Sequence, residues 1–170
     1  MNVAILETER LLLRPFRSDD LEALFDILGD EETMRFYPRP YTREEVAEWI
    51  ARNIALRERH GIGLWAIERK ETMQLVGDCG VTHQEVDGIT EPEIGWHVRR
   101  SLWRKGIATE AALTHRDRAF GELGLTRLIS LIRPENVASR RVAEKLGMTV
   151  EKETDRAGLR HFVYSIDRPT

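Results

Sequence analysis

Trp103-Arg104-Lys105-Gly106-Ile107-Ala108-Thr109-Glu110-Ala111 is the stretch on which the reading of this chain turns. Ahead of it, Glu93–Val98 reads as a strand. Behind it, Ile107 to about Leu123 has helical spacing and stops near Gly124. A strand therefore passes through a short basic loop into a helix that begins around Gly106. Such a junction presents free backbone N–H groups and the positive end of a helix dipole, an arrangement that favours phosphate. Gly106 and Ala108 are small, so a pyrophosphate has room to approach the backbone, and Arg99, Arg100, Arg104 and Lys105 surround it with positive charge. On these grounds alone the segment reads equally well as a solvated basic loop with an ordinary glycine. It matches neither G-x-x-x-x-G-K-[ST] nor G-x-G-x-x-G, which weakens nucleoside-triphosphate and dinucleotide readings.

Outward from this junction, strands and helices alternate. Glu9–Arg14 reads as a first strand stopped by Pro15, and Ser18 with Asp19 and Asp20 as a helix start carrying Leu21, Leu24, Phe25 and Leu28 on one stripe. Thr42-Arg43-Glu44-Glu45 is a capping box that opens a second helix with Val46, Trp49, Ile50 and Ile54. Strand-like runs follow at Leu64–Glu68 and Leu75–Val86, the second weakened by Gly77 and Gly80, and Asp87-Gly88 is a turn signal. Leu128–Ile132 is nearly all apolar and is expected to be a central strand covered on both faces. Val137–Leu146 reads as a short helix stopped by Gly147, and Met148–Glu153 and His161–Ile166 as strands around Gly158. The expectation is a single α/β domain spanning residues 1–170, an α+β mixed sheet with helices on both sides.

Composition narrows the function. The chain has 170 residues with 26 basic against 29 acidic, so no overall positive field exists to hold nucleic acid. One cysteine, Cys79, allows neither an internal disulfide nor a multi-thiolate zinc site. The histidines at 60, 83, 97, 115 and 161 lack paired ligand spacing, so no metal is expected. Apolar stretches are far shorter than the ~20 residues a membrane helix needs. Glu7, Glu9 and Arg10 interrupt the first stretch too early for a signal peptide. A soluble, cytoplasmic protein with no nucleic-acid or membrane partner is expected.

A second cluster, Asn136-Val137-Ala138-Ser139, opens the short helix that ends in Lys145-Leu146-Gly147-Met148. Its Asn and Ser read either as helix caps or as polar groups aimed at a ligand lying between this helix and the basic loop. Taken with Thr8-Glu9-Arg10-Leu11-Leu12-Leu13-Arg14-Pro15, Glu93-Ile94-Gly95-Trp96 and the Trp103–Ala111 stretch, in this order along nearly the whole chain, the sequence resembles the GNAT superfamily of N-acetyltransferases. The resemblance is to the branch of ribosomal-protein N-terminal acetyltransferases of the RimJ and RimL type. Trp103 stands where many members of the superfamily carry Gln or Arg, and that branch often has Trp there.

The resemblance implies a GNAT fold, mostly antiparallel, in which acetyl-CoA is the co-substrate and lies where two parallel strands splay apart: the strand ending at Val98 and Leu128–Ile132. It implies that the pyrophosphate rests on Arg104, Lys105, Gly106, Ile107, Ala108 and Thr109, with Arg99 beside them. The pantetheine arm would run along Trp96, His97 and Val98, and Asn136 and Ser139 would meet its other side. The reaction implied is direct attack of a primary amine on the thioester. An amine of pKa about 10 is only roughly 0.1% neutral at pH 7, so a base must take its proton. Period-two geometry places Glu93, Gly95 and His97 on one strand face, with space at Gly95. Glu93 is the first candidate base and His97 the second; both equally read as ordinary strand residues. A backbone N–H near Val98 would stabilise the oxyanion.

The tyrosine that often protonates the thiolate is replaced by Ala143, leaving Ser139 as the substitute. Substrate contacts are expected in Arg35–Tyr41, from Phe36, Tyr37 and Arg39, which read equally as a Pro-stiffened connection. The acceptor is expected to be a protein N-terminal amine. The alternatives are a small amine such as an antibiotic, polyamine or amino-acid analogue, or a non-catalytic acyl-CoA-binding module. Both monomer and homodimer fit the sequence.

Overall fold

The strand patterns assemble into one eight-stranded sheet in the computed structural model, which describes residues 4–170. In chain order the elements are β1 (Leu6–Glu7), β2 (Leu11–Arg14), α1 (Leu21–Leu28), α2 (Arg43–His60), β3 (Gly63–Arg69), β4 (Leu75–Val86), β5 (Ile89–Val98), α3 (Ile107–Gly121), β6 (Arg127–Ile132), α4 (Val137–Lys145), β7 (Thr149–Arg156) and β8 (Leu159–Asp167). The strands lie in the order β1-β2-β3-β4-β5-β6-β8-β7, and every neighbouring pair is antiparallel except β5 with β6. The mixed sheet expected from the pattern is thus present, with one more strand, β1, than the sequence suggested.

Alternating side chains divide the sheet into two faces. Leu11, Leu13, Trp65, Ile67, Ile94, Leu128 and Ile132 pack toward α3 and α4. Leu64, Ala66 and Leu75 pack beneath α1 and α2 with Leu24, Leu28, Val46 and Ile50. Those two helices lie over β3 to β5 only. Farther along the same face, Val86, Ile129 and Val163 form a separate small cluster. β6 is therefore covered on both sides, as its apolar run implied, although one cover comes from strand side chains and not from a helix.

The Thr42–Glu45 capping box forms as read: Glu45 N–H donates to Thr42 Oγ1 at 3.2 Å, and Thr42 N–H donates to the Glu45 carboxylate at 2.8 Å. Strand β5 starts at Ile89, four residues before the expected Glu93. Asp87 (φ +50°) and Gly88 (φ +80°) make a two-residue turn that pairs Val86 directly with Ile89, and Pro92 had hidden the strand signal.

The glycines of β4 also act differently from a simple weakening of the strand. A Cβ on Gly77 would lie 2.1 Å from the His97 carbonyl oxygen, and one on Gly80 would lie 2.1 Å from that of Gly63. Neighbouring backbone occupies the space of a side chain at both positions. On Gly95, opposite Gly80, a Cβ would meet nothing within 4 Å. Chemical denaturation should find Gly80→Ala and Gly77→Ala each less stable than wild type by about 3 kcal/mol, from forced overpacking. Gly95→Ala should stay within about 1 kcal/mol.

Candidate active site

Strands β5 and β6 share a single ladder pair, Glu93 with Ile129, and then part. Glu93 spans the start of the gap: its Oε2 accepts the Leu131 N–H at 3.1 Å. Burial raises the Glu93 carboxyl to a pKa of about 7, and the Leu131 N–H, Arg156 and His97 pull against that rise without cancelling it. A carboxylate poised there is suited to accept a proton near neutral pH. The open space at Gly95 lies between Glu93 and His97 on the same strand face.

His97 is the middle of a hydrogen-bonded chain. Its Nδ1 lies 2.7 Å from Oδ1 of Asp78, whose side chain is fully buried and whose other oxygen accepts the Trp49 Nε1–H at 3.0 Å. A carboxylate only accepts, so neutral His97 carries its proton on Nδ1, and Nε2 is left to accept the Tyr37 hydroxyl at 2.7 Å. Burial, with Glu93 nearby, pushes the Tyr37 phenol well above its usual range and keeps it protonated. Asp78 was absent from the expected site. Its signal was an acid inside the apolar run Leu75–Val81, since a buried carboxylate requires partners.

At the far end of the gap the basic loop has the backbone of an anion cradle. Arg104 (φ +62°) and Gly106 (φ +77°) both adopt left-handed conformations, and Gly106 caps α3 without any side-chain cap bond. The first N–H groups of α3 are therefore left open. Trp103 Nε1–H donates to the Val98 carbonyl at 2.7 Å, tying the loop to the end of β5. The opening segment of the chain holds the loop from the other side. Glu110 accepts Thr8 Oγ1–H at 2.5 Å, Arg10 N–H at 3.0 Å and Arg10 Nε–H at 2.7 Å, while Arg10 Nη1 donates to the Lys105 carbonyl at 2.8 Å. Burial works to raise the Glu110 carboxyl, but the Thr8 and Arg10 bonds outweigh it and hold it below its usual range. This clamp accounts physically for the pairing of the Thr8–Pro15 and Trp103–Ala111 motifs in one sequence.

The remaining expected residues divide. Ile107 is buried and anchors the loop in the core, Ala108 packs partly against it, and Thr109 lies half-buried in the first turn of α3. Arg104 and Lys105 are exposed on the loop. Arg99 turns away from it, donating to the Ala23 carbonyl of α1 at 3.4 Å, because alternation sends its side chain toward α1 and α2. Trp96 and Val98 point into the α3-side core, so only their main chain lines the gap. Asn136 caps α4 by accepting the Ser139 N–H at 3.2 Å, and Ala143 is fully buried in the core. Phe36 and Tyr37 lie in the loop over the gap, the Phe36 carbonyl accepting Arg133 Nη1–H at 3.5 Å. Arg39 is engaged by both Glu45 oxygens, at 2.6 and 2.8 Å, and so staples the start of α2.

Removing the clamp should loosen the loop and leave the sheet intact. In Glu110→Ala, amide hydrogen exchange at Arg10, whose N–H loses its acceptor, and at residues 110–111, the first bonded amides where the loop enters α3, should accelerate about tenfold or more, the size expected for losing charge-assisted hydrogen bonds. Exchange in β3–β6 should be unchanged; equal protection of these amides in both proteins would contradict the role assigned to Glu110.

Comparison with known proteins gives this geometry a family. Residues 10–149 match the acetyltransferase (GNAT) domain. The uncharacterized N-acetyltransferase YoaA of Bacillus subtilis is 33% identical over 168 residues, 97% of this chain and 91% of that protein. The crystal structure of an acetyltransferase from Agrobacterium tumefaciens superposes with a TM-score of 0.85 at 29% identity, over 99% of this chain and 96% of that one. Mycobacterium smegmatis RimJ in complex with CoA-disulfide superposes with a TM-score of 0.74 at 26% identity, over 97% of this chain and 86% of that one. A sheet that parts between two parallel strands, a basic loop opening a helix beside the gap, and a domain match over most of the sequence lead to one conclusion: the chain belongs to the GNAT family of acetyltransferases.

Proposed function

We propose that this N-acetyltransferase moves the acetyl group of acetyl-CoA to a protein N-terminal amine, with Glu93 as the general base. The observation that carries the reading is the Glu93 carboxyl, poised near neutrality beside the open space at Gly95 and at the start of the β5–β6 gap. The resemblance of the Thr8–Pro15, Trp103–Ala111 and Asn136–Ser139 motifs to the branch of ribosomal-protein N-terminal acetyltransferases supports a protein N-terminus as acceptor. An α-amino group has a pKa near 8, so about a tenth of it is neutral at pH 7 and a base of matched strength suffices.

In this reading the loop Arg104, Lys105, Gly106, Ile107, Ala108 and Thr109 holds the pyrophosphate through main-chain N–H groups, with Arg104 and Lys105 adding charge. The main chain from Trp96 to Val98 and the Asn136–Ser139 turn flank the pantetheine arm. Acetyl-CoA supplies an activated thioester carbonyl. Glu93 takes the proton of the attacking amine, directly or through a water. A main-chain N–H near Val98 faces the developing oxyanion, a contribution of a few kcal/mol when well aimed (about 3). As the amide forms, the thioester C–S bond breaks and CoA leaves as its thiolate, which Ser139, half-buried on α4, would hydrogen-bond and which takes its proton from solvent. His97 is committed to Asp78 and Tyr37, and its part is to hold the Tyr37 hydroxyl over the opening.

The test is Glu93→Gln, assayed by mass spectrometry with acetyl-CoA and peptides bearing free Ala or Ser N-termini. Turnover should fall about 100-fold or more, with KM for acetyl-CoA little changed. In the wild type kcat/KM should rise through about pH 7 as the Glu93 carboxyl loses its proton, and the variant should keep only the limb set by the amine itself. Stability has the opposite sign. The folded-state pKa lies above the unfolded one, so Glu93 favours the folded state below about pH 4.5 and that contribution is lost as pH rises through 7. Glu93→Gln should not show this loss. Undiminished turnover in the variant would remove Glu93 as the base.

A further inference from the structure

The sheet register brings a set of side chains to the gap that the reaction does not use. Glu93 pairs with Ile129, Ile129 with Ser165 and Leu131 with Val163, so these residues share one face. By alternation Arg133, immediately after β6, and His161 on β8 belong to that face too. His161 pairs with Thr154, and Arg156, two residues on, pairs with Leu159, which places Arg156 on the same side. The β7–β8 hairpin then curls back, and Arg156 Nη2 donates to Gln84 Oε1 on β4 at 2.5 Å. Arg133 reaches the other rim, where it donates to the Phe36 carbonyl. Glu93 and Gly95 thus lie on the floor of a hollow whose far wall carries two guanidinium groups.

These two arginines differ from the other arginines around them. Arg35 is paired with Glu32, Arg39 with Glu45, Arg127 with Glu91 and Glu151, and Arg160 with Glu153. Arg156 has no carboxylate within 4 Å among the described residues, and the Gln84 side chain it donates to is neutral. Among the carboxylates of the described residues Arg133 meets only that of Glu135, at 3.5 Å and largely exposed, and its Nε is buried with no partner. A buried, unsatisfied N–H on a cation is costly and calls for an acceptor. Their field reaches into the hollow. Arg156 lowers the proton affinity of Glu93 and Tyr37, and both arginines lower that of His161.

A singly charged amine approaching this wall meets repulsion, whereas an amine that carries its own anion meets a match. We infer that the acceptor bears an anionic group, a carboxylate or phosphate, a few bonds from its amine, and that Arg133 and Arg156 bind this group while the amine lies at Glu93. The inference rests on Glu93 marking the acceptor end, as proposed above, but not on the acceptor's being a protein. Guanidinium suits this task because its planar donors pair with two oxygens at once.

The experiment compares kcat/KM across peptides with a free Ala N-terminus and Asp, Gln or Lys at the second residue, and across free alanine against ethylamine, its decarboxylated counterpart. It uses wild type, Arg156→Gln, Arg156→Glu and Arg133→Gln. Wild type should favour the anionic member of each matched set it acetylates by about tenfold or more. Arg156→Gln should remove most of that preference with KM for acetyl-CoA unchanged, and Arg156→Glu should shift preference toward the Lys peptide. Arg156 is exposed, so these variants keep the assay independent of any folding defect in Arg133→Gln. Equal rates for all charges in wild type, or equal losses for all acceptors in the variants, would overturn the inference. Transfer to alanine with none to any peptide would keep the inference and overturn the N-terminal reading. Peptide transfer indifferent to charge would do the reverse, and no transfer to any acceptor would overturn both.

Discussion

Two parallel strands that pair once and then separate leave main-chain donors and acceptors facing each other across a gap inside a sheet, and unpaired buried backbone groups cost free energy. The rest of this protein is organised around that parting of β5 from β6. Glu93 relieves part of the cost by accepting the Leu131 N–H, and the same placement buries its carboxyl enough to raise its proton affinity to neutrality. The group that seals the start of the gap is therefore also the group suited to accept a proton there. The remaining open edges are the surface against which an extended ligand arm can lie, as an added strand lies against a sheet edge.

Each end of the gap is held by contacts distant in sequence. On the acceptor side, Asp78 on β4 holds His97, His97 holds Tyr37, and Trp49 of α2 supplies the second donor to Asp78. Removing a member of such a chain leaves a buried polar atom unsatisfied, so the network resists rearrangement. On the loop side, Glu110 gathers three donors from Thr8 and Arg10, and Arg10 reaches on to the Lys105 carbonyl. The left-handed backbone at Arg104 and Gly106 is an unfavourable conformation for a non-glycine residue at the first of these positions, and this clamp together with the Trp103–Val98 bond over-determines it.

Charge is distributed to the same plan. Many arginines form ion pairs on the surface, where such pairs contribute little to stability. Arg14 is the interior exception: it bridges Asp20 and Glu68 and ties the approach to α1 to β2 and β3. Against that background the sparsely countered Arg133 and Arg156 stand out at the rim of the hollow, where positive charge has a use only if a ligand brings the negative one.

Local sequence determined the elements and much of the loop. The apolar period of α1, the Thr42–Glu45 box, the alternation of Glu93–Val98 and the uninterrupted run of β6 are short-range patterns, and each became the element it implied. The basic loop with Gly106 at a helix start was legible for the same reason, since helix N-termini and left-handed glycines are local chemistry. What lay beyond the sequence depends on which strands are neighbours. Asp78 joins the site because β4 pairs with β5 in a register that sets Asp78 opposite His97. Arg10 belongs to the loop because β2 brings it to α3 across about a hundred residues, and Arg156 approaches Glu93 because the β7–β8 hairpin curls over β4. Arg99 and Arg39, basic residues in the right stretches of sequence, face Ala23 and Glu45 instead, because a side chain's direction is set by strand alternation and by the nearest partner. Residue type and spacing are local quantities, but burial and counter-charge are sums over the whole fold, and only the tertiary structure adds them up.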